Sequence, residues 1–398
     1  MEDCTIQKLN LLAFPRSFTP ICELTGEHAT IELVTPHITL YYVSEAAARQ
    51  AWEGIIKKIA HLLTPLRSDP PIVGTADERE SRAKHILSSK KSLINFCLSE
   101  STAWISKQRY DLAVPAATQA LKLSKEVDGE LAIEVVEPML QLSQAYLGLS
   151  QLRQAEEYLA LARWNIINAE SCSDKVLSRM HTLMGRVLTA QGNFTNAKDE
   201  LAQGIYFSSR TYGAESVPTA VGYYLLGDIF LAQGNKESAL AFFDKVVDIW
   251  YMFLLIAFNS SEMLTEVYQD GVNEESFVDG RFHLNQIHSV RESIIGEDHI
   301  ATGEVKYCIG LFELLYKNDV ASSKSLVKQA LQIYERSLGA DHASTLQVER
   351  VLQAIQLREG GMFLDAGPEN ESSMTGELDW NRRQYSNEAL PCDSLAPQ

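Results

Sequence analysis

Residues able to do chemistry occur in this sequence, but not at the spacings that chemistry requires. The cysteines Cys4, Cys22, Cys97, Cys172, Cys308 and Cys392 lie far apart and include no C-x-x-C pair. That is not a disulfide framework, and it points to a reducing compartment. His299 and His342 sit in similar turns, Gly296-Glu297-Asp298-His299 and Gly339-Ala340-Asp341-His342. Equivalent places in different repeats suit turn capping better than a shared metal. No G-x-x-x-x-G-K-[ST], G-x-S-x-G or H-E-x-x-H occurs, so phosphate binding, an activated serine and a zinc protease site all lack their motifs. Paired carboxylates such as Glu156-Glu157 read as a solvated helix face. The expectation is a non-catalytic protein with no cofactor and no metal.

Composition narrows the partners. The chain has 398 residues, is 45% apolar, and carries a formal charge of −17 from 52 acidic and 35 basic residues. Nucleic-acid binding needs a concentrated basic face. The densest basic stretch, Arg79 to Lys91, is interleaved with acids at its start. The longest apolar run, Ile249 to Phe258, is ten residues, where a membrane-spanning helix needs about 20. The acidic amino end, Met1-Glu2-Asp3-Cys4, has no secretory h-region. A soluble, cytoplasmic protein is expected, with protein partners and neither nucleic acid nor membrane.

The elements that organise the chain follow a 42-residue step. Small residues stand at Ala113, Ala155, Ala197 and Ala239, and the same step continues to Arg281 and Ser323. A second column, seven residues on, reads Ala120, Ala162, Gly204, Val246, His288 and Ala330. Each column places a small residue on one helix face, where a partner helix approaches closely. The ladder breaks at Arg281 and His288 and then resumes. Gly185 and Gly227 lie twelve residues before Ala197 and Ala239, which marks the facing helix of each pair. Gln191-Gly192-Asn193 and Gln233-Gly234-Asn235 supply the turn between the two helices.

Helix pairs in tandem resemble tetratricopeptide (TPR) repeats. The ordinary TPR period is about 34 residues, so these helices should each be longer. The longer form and the L-G-x-D-H turn are similar to the repeats of kinesin light chain. Stacked pairs build a superhelix with a concave inner face. The positions that would line that face include Asn95, Thr102, Gln144, Arg179, Arg186, Tyr224 and Asp228, and these are the candidate partner-binding residues. Co-chaperone TPRs grip a carboxylate with Lys and Asn on the first helices; Leu98, Thr102 and Leu140 stand there instead.

The stretch 1–65 differs, with β-type runs at Thr30–Val34 and Ile38–Val43 followed by a helix from about Glu45 to Leu63. It resembles a MYND zinc finger: the pattern Y-C-S-x-x-C-Q-x-x-D-W falls on Tyr42 to Trp52, where Tyr42, Ser44 and Trp52 match. Val43 and Ala47 stand at two ligand positions, Ile31 and Val34 near two more, and Ile55 and Ile59 at the last two; only Cys22 survives. A structural zinc needs four N or S ligands, so apolar packing is expected in place of coordination, with the unit docked on the first repeat.

A MYND-like unit joined to long TPRs resembles the ciliary zinc finger MYND domain-containing protein twelve family over about residues 20 to 355. Ala60 to Arg67, Tyr110 to Ala117, Ala155 to Leu159, Gly204 to Ser209, Gly222 to Tyr224 and Val290 to Glu292 carry the likeness. The SET-and-MYND methyltransferases would need a SET domain for which no segment is left over. The ciliary resemblance implies a cytoskeletal scaffold of the motile cilium or flagellum axoneme. It also implies inner dynein arms as the place of work, with another TPR protein and axonemal dynein subunits as partners. The alternative is a soluble cytoplasmic cargo or assembly adaptor of the kinesin-light-chain kind. The expected fold is all-α, a TPR superhelix of about six long helix pairs. Its parts are a degenerate MYND-like unit (1–65), a linker (66–82) containing Pro70-Pro71, the repeat domain (83–360) and a disordered tail (361–398).

Overall fold

The computed structural model describes residues 4–10, 14, 19–67, 75–259 and 271–359. The expected tail, with Leu378-Asp379-Trp380, and the Pro70-Pro71 stretch lie outside these residues. Helix occupies positions 66–67 and 76–82 of the stretch expected as linker, so the interruption is shorter than 66–82.

The chain opens with strands β1 (Thr5–Lys8), β2 (Ile31–Val34) and β3 (Thr39–Tyr42), forming an antiparallel sheet in the order β1-β2-β3. Ile31 pairs with Tyr42 and Leu33 with Leu40. Ser44 then caps α1 (Glu45–Ala51) by accepting from the Ala47 amide, and a π-helical turn, Trp52–Ile56, leads into α2 (Lys57–Arg67).

Among the described residues, only helices follow. They are α3 (Ala76–Ser106), α4 (Tyr110–Asp128), α5 (Val136–Gly148), α6 (Leu152–Asn168), α7 (Asp174–Ala190) and α8 (Phe194–Tyr212). After them come α9 (Val217–Ala232), α10 (Lys236–Asn259), α11 (Glu274–Ile295), α12 (Ile300–Lys317), α13 (Val320–Leu338) and α14 (Ala343–Glu359). Helices α3/α4, α5/α6, α7/α8, α9/α10 and α12/α13 form antiparallel pairs, stacked in sequence order. Among the described residues, no helix is long and apolar enough to cross a membrane.

The repeat step is visible in the backbone. Gln108, Ser150, Gly192 and Gly234, one step apart in turn, all have φ between 57° and 79°, and Asn318 repeats the conformation at 55°. Each ends the first helix of a pair and reverses the chain. Ala113, Ala155, Ala197 and Ala239 are fully buried, which lets the paired helices approach closely. The facing position is equally tight: a Cβ on Gly227 would lie 2.6 Å from the Phe243 ring, and one on Gly185 2.5 Å from Leu201.

The fifth repeat departs from the pattern. Leu255, which the step places where a turn would fall, is still within α10, and Ser276, at the expected reversal, lies inside α11. With both reversals absent, α12 packs directly on α10 as well as on α11. The break at Arg281 and His288 is therefore a change of architecture: α11 leaves the paired layer.

The N-terminal unit and the first repeat share one core, in which Cys22, Leu33, Leu40, Tyr42, Ile55 and Ile59 meet Leu93, Ile94, Cys97, Ala116 and Ala120. Ile55 and Ile59 are 1% and 0% exposed. Gly54 lies against Leu112 and Pro115 of α4, and its carbonyl accepts from Trp104 Nε1 at 2.9 Å. Lys122 reaches Glu23 at 2.6 Å.

Two consequences are measurable. Ile59→Ala should destabilise the protein by about 2–5 kcal/mol by leaving a cavity, while EDTA should leave the melting temperature unchanged; a large EDTA-induced drop would show that metal holds the unit. Gly227→Val should cost about 1–3 kcal/mol or more by overpacking against Phe243, measured by urea denaturation.

Candidate functional site

The first helices of successive pairs, α3, α5, α7 and α9, lie side by side and form the inner face. The repeat step sets out its side chains in rows. Thr102, Gln144, Arg186 and Asp228 are spaced by that step, and so are Asn95, Glu137 and Arg179. Each row occupies the same place on neighbouring helices, so it runs across the stack.

These side chains are joined to one another. Arg179 forms an ion pair with Glu137 on α5, and its Nη2 donates to Gln144 Oε1 at 3.0 Å. Gln141 Nε2 donates to Thr102 Oγ1 at 3.1 Å, linking α5 to α3. Asn95 and Asp228 are exposed, and burial of its surroundings raises the Asp228 carboxyl above the usual carboxylate range.

Gln144, Arg186 and Tyr224 meet a helix that the sequence did not place here. Helix α11 lies across the inner face, touching α9 and the end of α3. Gln144 Nε2 donates to Glu275 Oε1. Asp279 lines one small cavity together with Arg186, Gln144, Tyr110 and Glu275. The His283 ring stacks on Tyr224 with centroids 3.7 Å apart and an interplanar angle of 21°. Glu275, Asp279 and His283 are four residues apart and so form one stripe of the helix. The only sequence signal for them was negative, the small-residue ladder failing at this rung.

On its other side α11 is wedged between α10 and α12. Phe277 packs among Trp250, Phe253, Phe312 and Tyr316, and Gly280 leaves room for the Trp250 ring. Arg281, where earlier pairs have a buried alanine, instead reaches Glu313 of α12 at 2.6 Å. Arg291 is fully buried, donating to the Ala301 carbonyl at 2.5 Å and pairing with Asp244 of α10.

The two histidines of the repeat turns act as caps. His299 Nδ1 accepts from the Ala301 amide and His342 Nδ1 from the Ser344 amide, each at 3.2 Å. Among the described residues, no three His, Cys, Asp or Glu side chains gather as metal ligands would. The inner face carries amides, guanidinium groups and aromatic rings.

Comparison with known proteins agrees on the repeat. Tetratricopeptide repeat family models match residues 176–251 and 314–344, that is, most of α7 to α10 and the α12/α13 region. The fold is a tetratricopeptide repeat superhelix. Over 228 residues the TPR chain is 22% identical to a clustered mitochondria protein homolog of Emericella nidulans and 21% identical to that of Aspergillus niger. The match takes in 55% of this chain but only 18% of the length of those relatives. Among solved structures the chain is similar to BtubC (BKLC) from P. vanneervenii, at 12% identity and a TM-score of 0.36, covering 71% of this chain and 97% of that one. It is also similar to a Podosopora anserina kinesin light chain protein with nearly identical TPR-like repeats, at 12% identity and a TM-score of 0.34, covering 62% and 96%. Its TPR repeats make the chain a protein-interaction scaffold.

Asp279 and His283 respond to acid in opposite directions. Burial, with Glu275 adding and Arg186 opposing, raises Asp279 from 3.8 to about 6. Its seat therefore costs about 3 kcal/mol above pH 6, and less as pH falls towards 3.8. Burial, aided by Arg186, lowers His283 from 6.5 to about 3. It costs nothing above pH 6.5, and about 1.4 kcal/mol per pH unit below. Between pH 7 and pH 5 the first group returns about 1 kcal/mol and the second removes about 2. Relative to wild type over that interval, Asp279→Asn should lose about 1 kcal/mol more stability and His283→Phe about 2 kcal/mol less. Urea titrations at the two pH values check this, and three equal pH slopes would refute it.

Proposed function

We propose that this TPR protein is a scaffold of the motile cilium or flagellum, fixed to the axoneme near the inner dynein arms. Its partners there are another TPR protein and axonemal dynein subunits. What supports the reading is the resemblance of the stretch 1–65 to a MYND finger, ahead of TPR repeats of the long kind. Tyr42 and Trp52, which match the finger's pattern, are buried in the core that unites this unit with the first repeat. The unit closes the end of the repeat stack, as terminal repeats must be covered for solubility. The acidic charge of −17 suits basic protein partners. A second reading, a soluble cargo or assembly adaptor of the kinesin-light-chain kind, is favoured by the capping histidines of the Gly-x-Asp-His turns.

A tagged copy expressed in flagellated cells should remain along the axoneme after detergent extraction, and cross-linking should then recover dynein subunits. Release into the detergent supernatant, or retention in the cell body, would remove the axonemal reading and favour the adaptor.

A further inference from the structure

Among the described residues, the three most exposed large apolar side chains are Ile167, Leu131 and Trp164, at 68%, 61% and 59%. They come from two elements and lie together on the outer side of the stack. Trp164 and Ile167 are on α6, three residues apart and therefore neighbours on its surface, and Leu161, half-exposed, stands three residues before them. Leu131 is in the connection between α4 and α5. Asn165, itself buried, fixes that connection to α6: its Nδ2 donates to the carbonyls on either side of Leu131, Glu130 at 2.9 Å and Ala132 at 3.4 Å. Leu131 is thus held out beside α6, while its neighbours Ala132 and Ile133 pack against the core. Single exposed apolar residues are ordinary, but a fixed group of this kind marks a surface that another molecule covers.

Charge selects that molecule. Around the patch, Glu126, Asp128 and Asp174 are paired with Lys90, Lys91 and Arg210. Glu130, Glu134 and Glu170 are exposed and, among the described residues, form no ion pair. Arg163, next to Trp164, is engaged by Glu200 of α8 at 3.7 Å. Helix α6 has no basic residue in its last turn, so the negative end of its dipole adds to the carboxylates. A second copy would set these carboxylates against their own equivalents across a two-fold axis, and an anionic membrane surface would repel them. A cationic partner is attracted by the carboxylates and the helix end alike. An amphipathic helix offers its cations and its apolar side chains on adjoining faces.

We propose that Leu131, Trp164 and Ile167 form the docking surface for a basic amphipathic helix of a partner protein. That helix covers Trp164 with its apolar face and sets Lys or Arg against Glu130, Glu134 and Glu170. The inference gives the scaffold a working face on the outer side, away from the one that α11 crosses. It applies to either reading of the scaffold's place in the cell.

The test uses the full chain and two labelled synthetic helical peptides. One is built of Lys and Leu with every Leu on one face, and the other has Glu in place of Lys. Fluorescence anisotropy at about 0.15 M salt should show wild type binding the Lys peptide and not the Glu peptide. Trp164→Ala with Ile167→Ala should weaken that binding about tenfold or more. Met252→Ala with Ile256→Ala, similarly exposed residues of α10 outside the patch, should leave it unchanged. Glu130→Lys, Glu134→Lys and Glu170→Lys together should reverse the preference, so that the Glu peptide binds. All the replaced side chains are exposed, so the variants should keep the wild-type circular dichroism spectrum. Binding that survives the loss of Trp164 and Ile167, or that falls equally with Met252 and Ile256, would overturn the proposal. So would a wild-type dimer that Trp164→Ala dissociates in sedimentation, because the patch would then belong to a second copy. Flotation with phosphatidylserine vesicles that Trp164→Ala abolishes would overturn it in favour of a membrane. None of these outcomes bears on detergent-resistant localisation, so the axonemal reading stands or falls separately.

Discussion

Two helices can pack with their backbones close together only where small side chains face each other, and this chain supplies such residues once per repeat. Ala113, Ala155, Ala197 and Ala239 on one helix of each pair, with Gly185 and Gly227 on the facing helix, set the separation within the stack. Larger residues beside them, Leu201 and Phe243, fill the remaining space and lock the register. The left-handed residues at Gln108, Ser150, Gly192 and Gly234 then return the chain at the same point in each repeat. From this one recurring contact follow the parallel alignment of the inner helices and the rows of side chains across them.

The same contact explains what happens where it fails. Arginine at position 281 cannot enter the space that an alanine fills, and the two reversals that would frame a fifth pair are absent. The chain keeps its core continuous by seating α12 against α10, and an amphipathic helix is left over. It buries Phe277, Leu284 and Ile287 against its neighbours in sequence and turns its polar stripe to the inner face. A surface built by repetition is thus covered in part by a helix that does not follow the repeat.

The N-terminal unit is likewise held by packing, against the first repeat. A small unit of three short strands and two short helices has little core of its own, and coordination by metal is one remedy. Here Ile55 and Ile59 are buried, and the core is completed by α3 and α4. The Trp104–Gly54 hydrogen bond and the Lys122–Glu23 ion pair fix the orientation. The unit and the first repeat consequently share one continuous core.

The sequence by itself determined the repeat, its step, the turns and the identity of the inner rows, because each depends on residues close together in the chain. Small-residue columns, helix-ending glycines and caps such as His299 and His342 act over one or two turns of helix and are readable as spacing. Where α11 lies was decided by tertiary structure alone. Glu275 and Gln144 are 131 residues apart, and nothing periodic relates them. Sequence could report that the ladder broke at Arg281, but not where the displaced helix would go. That depended on the Trp250, Phe253 and Phe312 surface offered by α10 and α12, and on a row of polar side chains assembled from separate repeats. Asn95 and Asp228 stayed open, while Gln144 and Tyr224 were covered. The difference reflects the path of one helix rather than any property of the four residues.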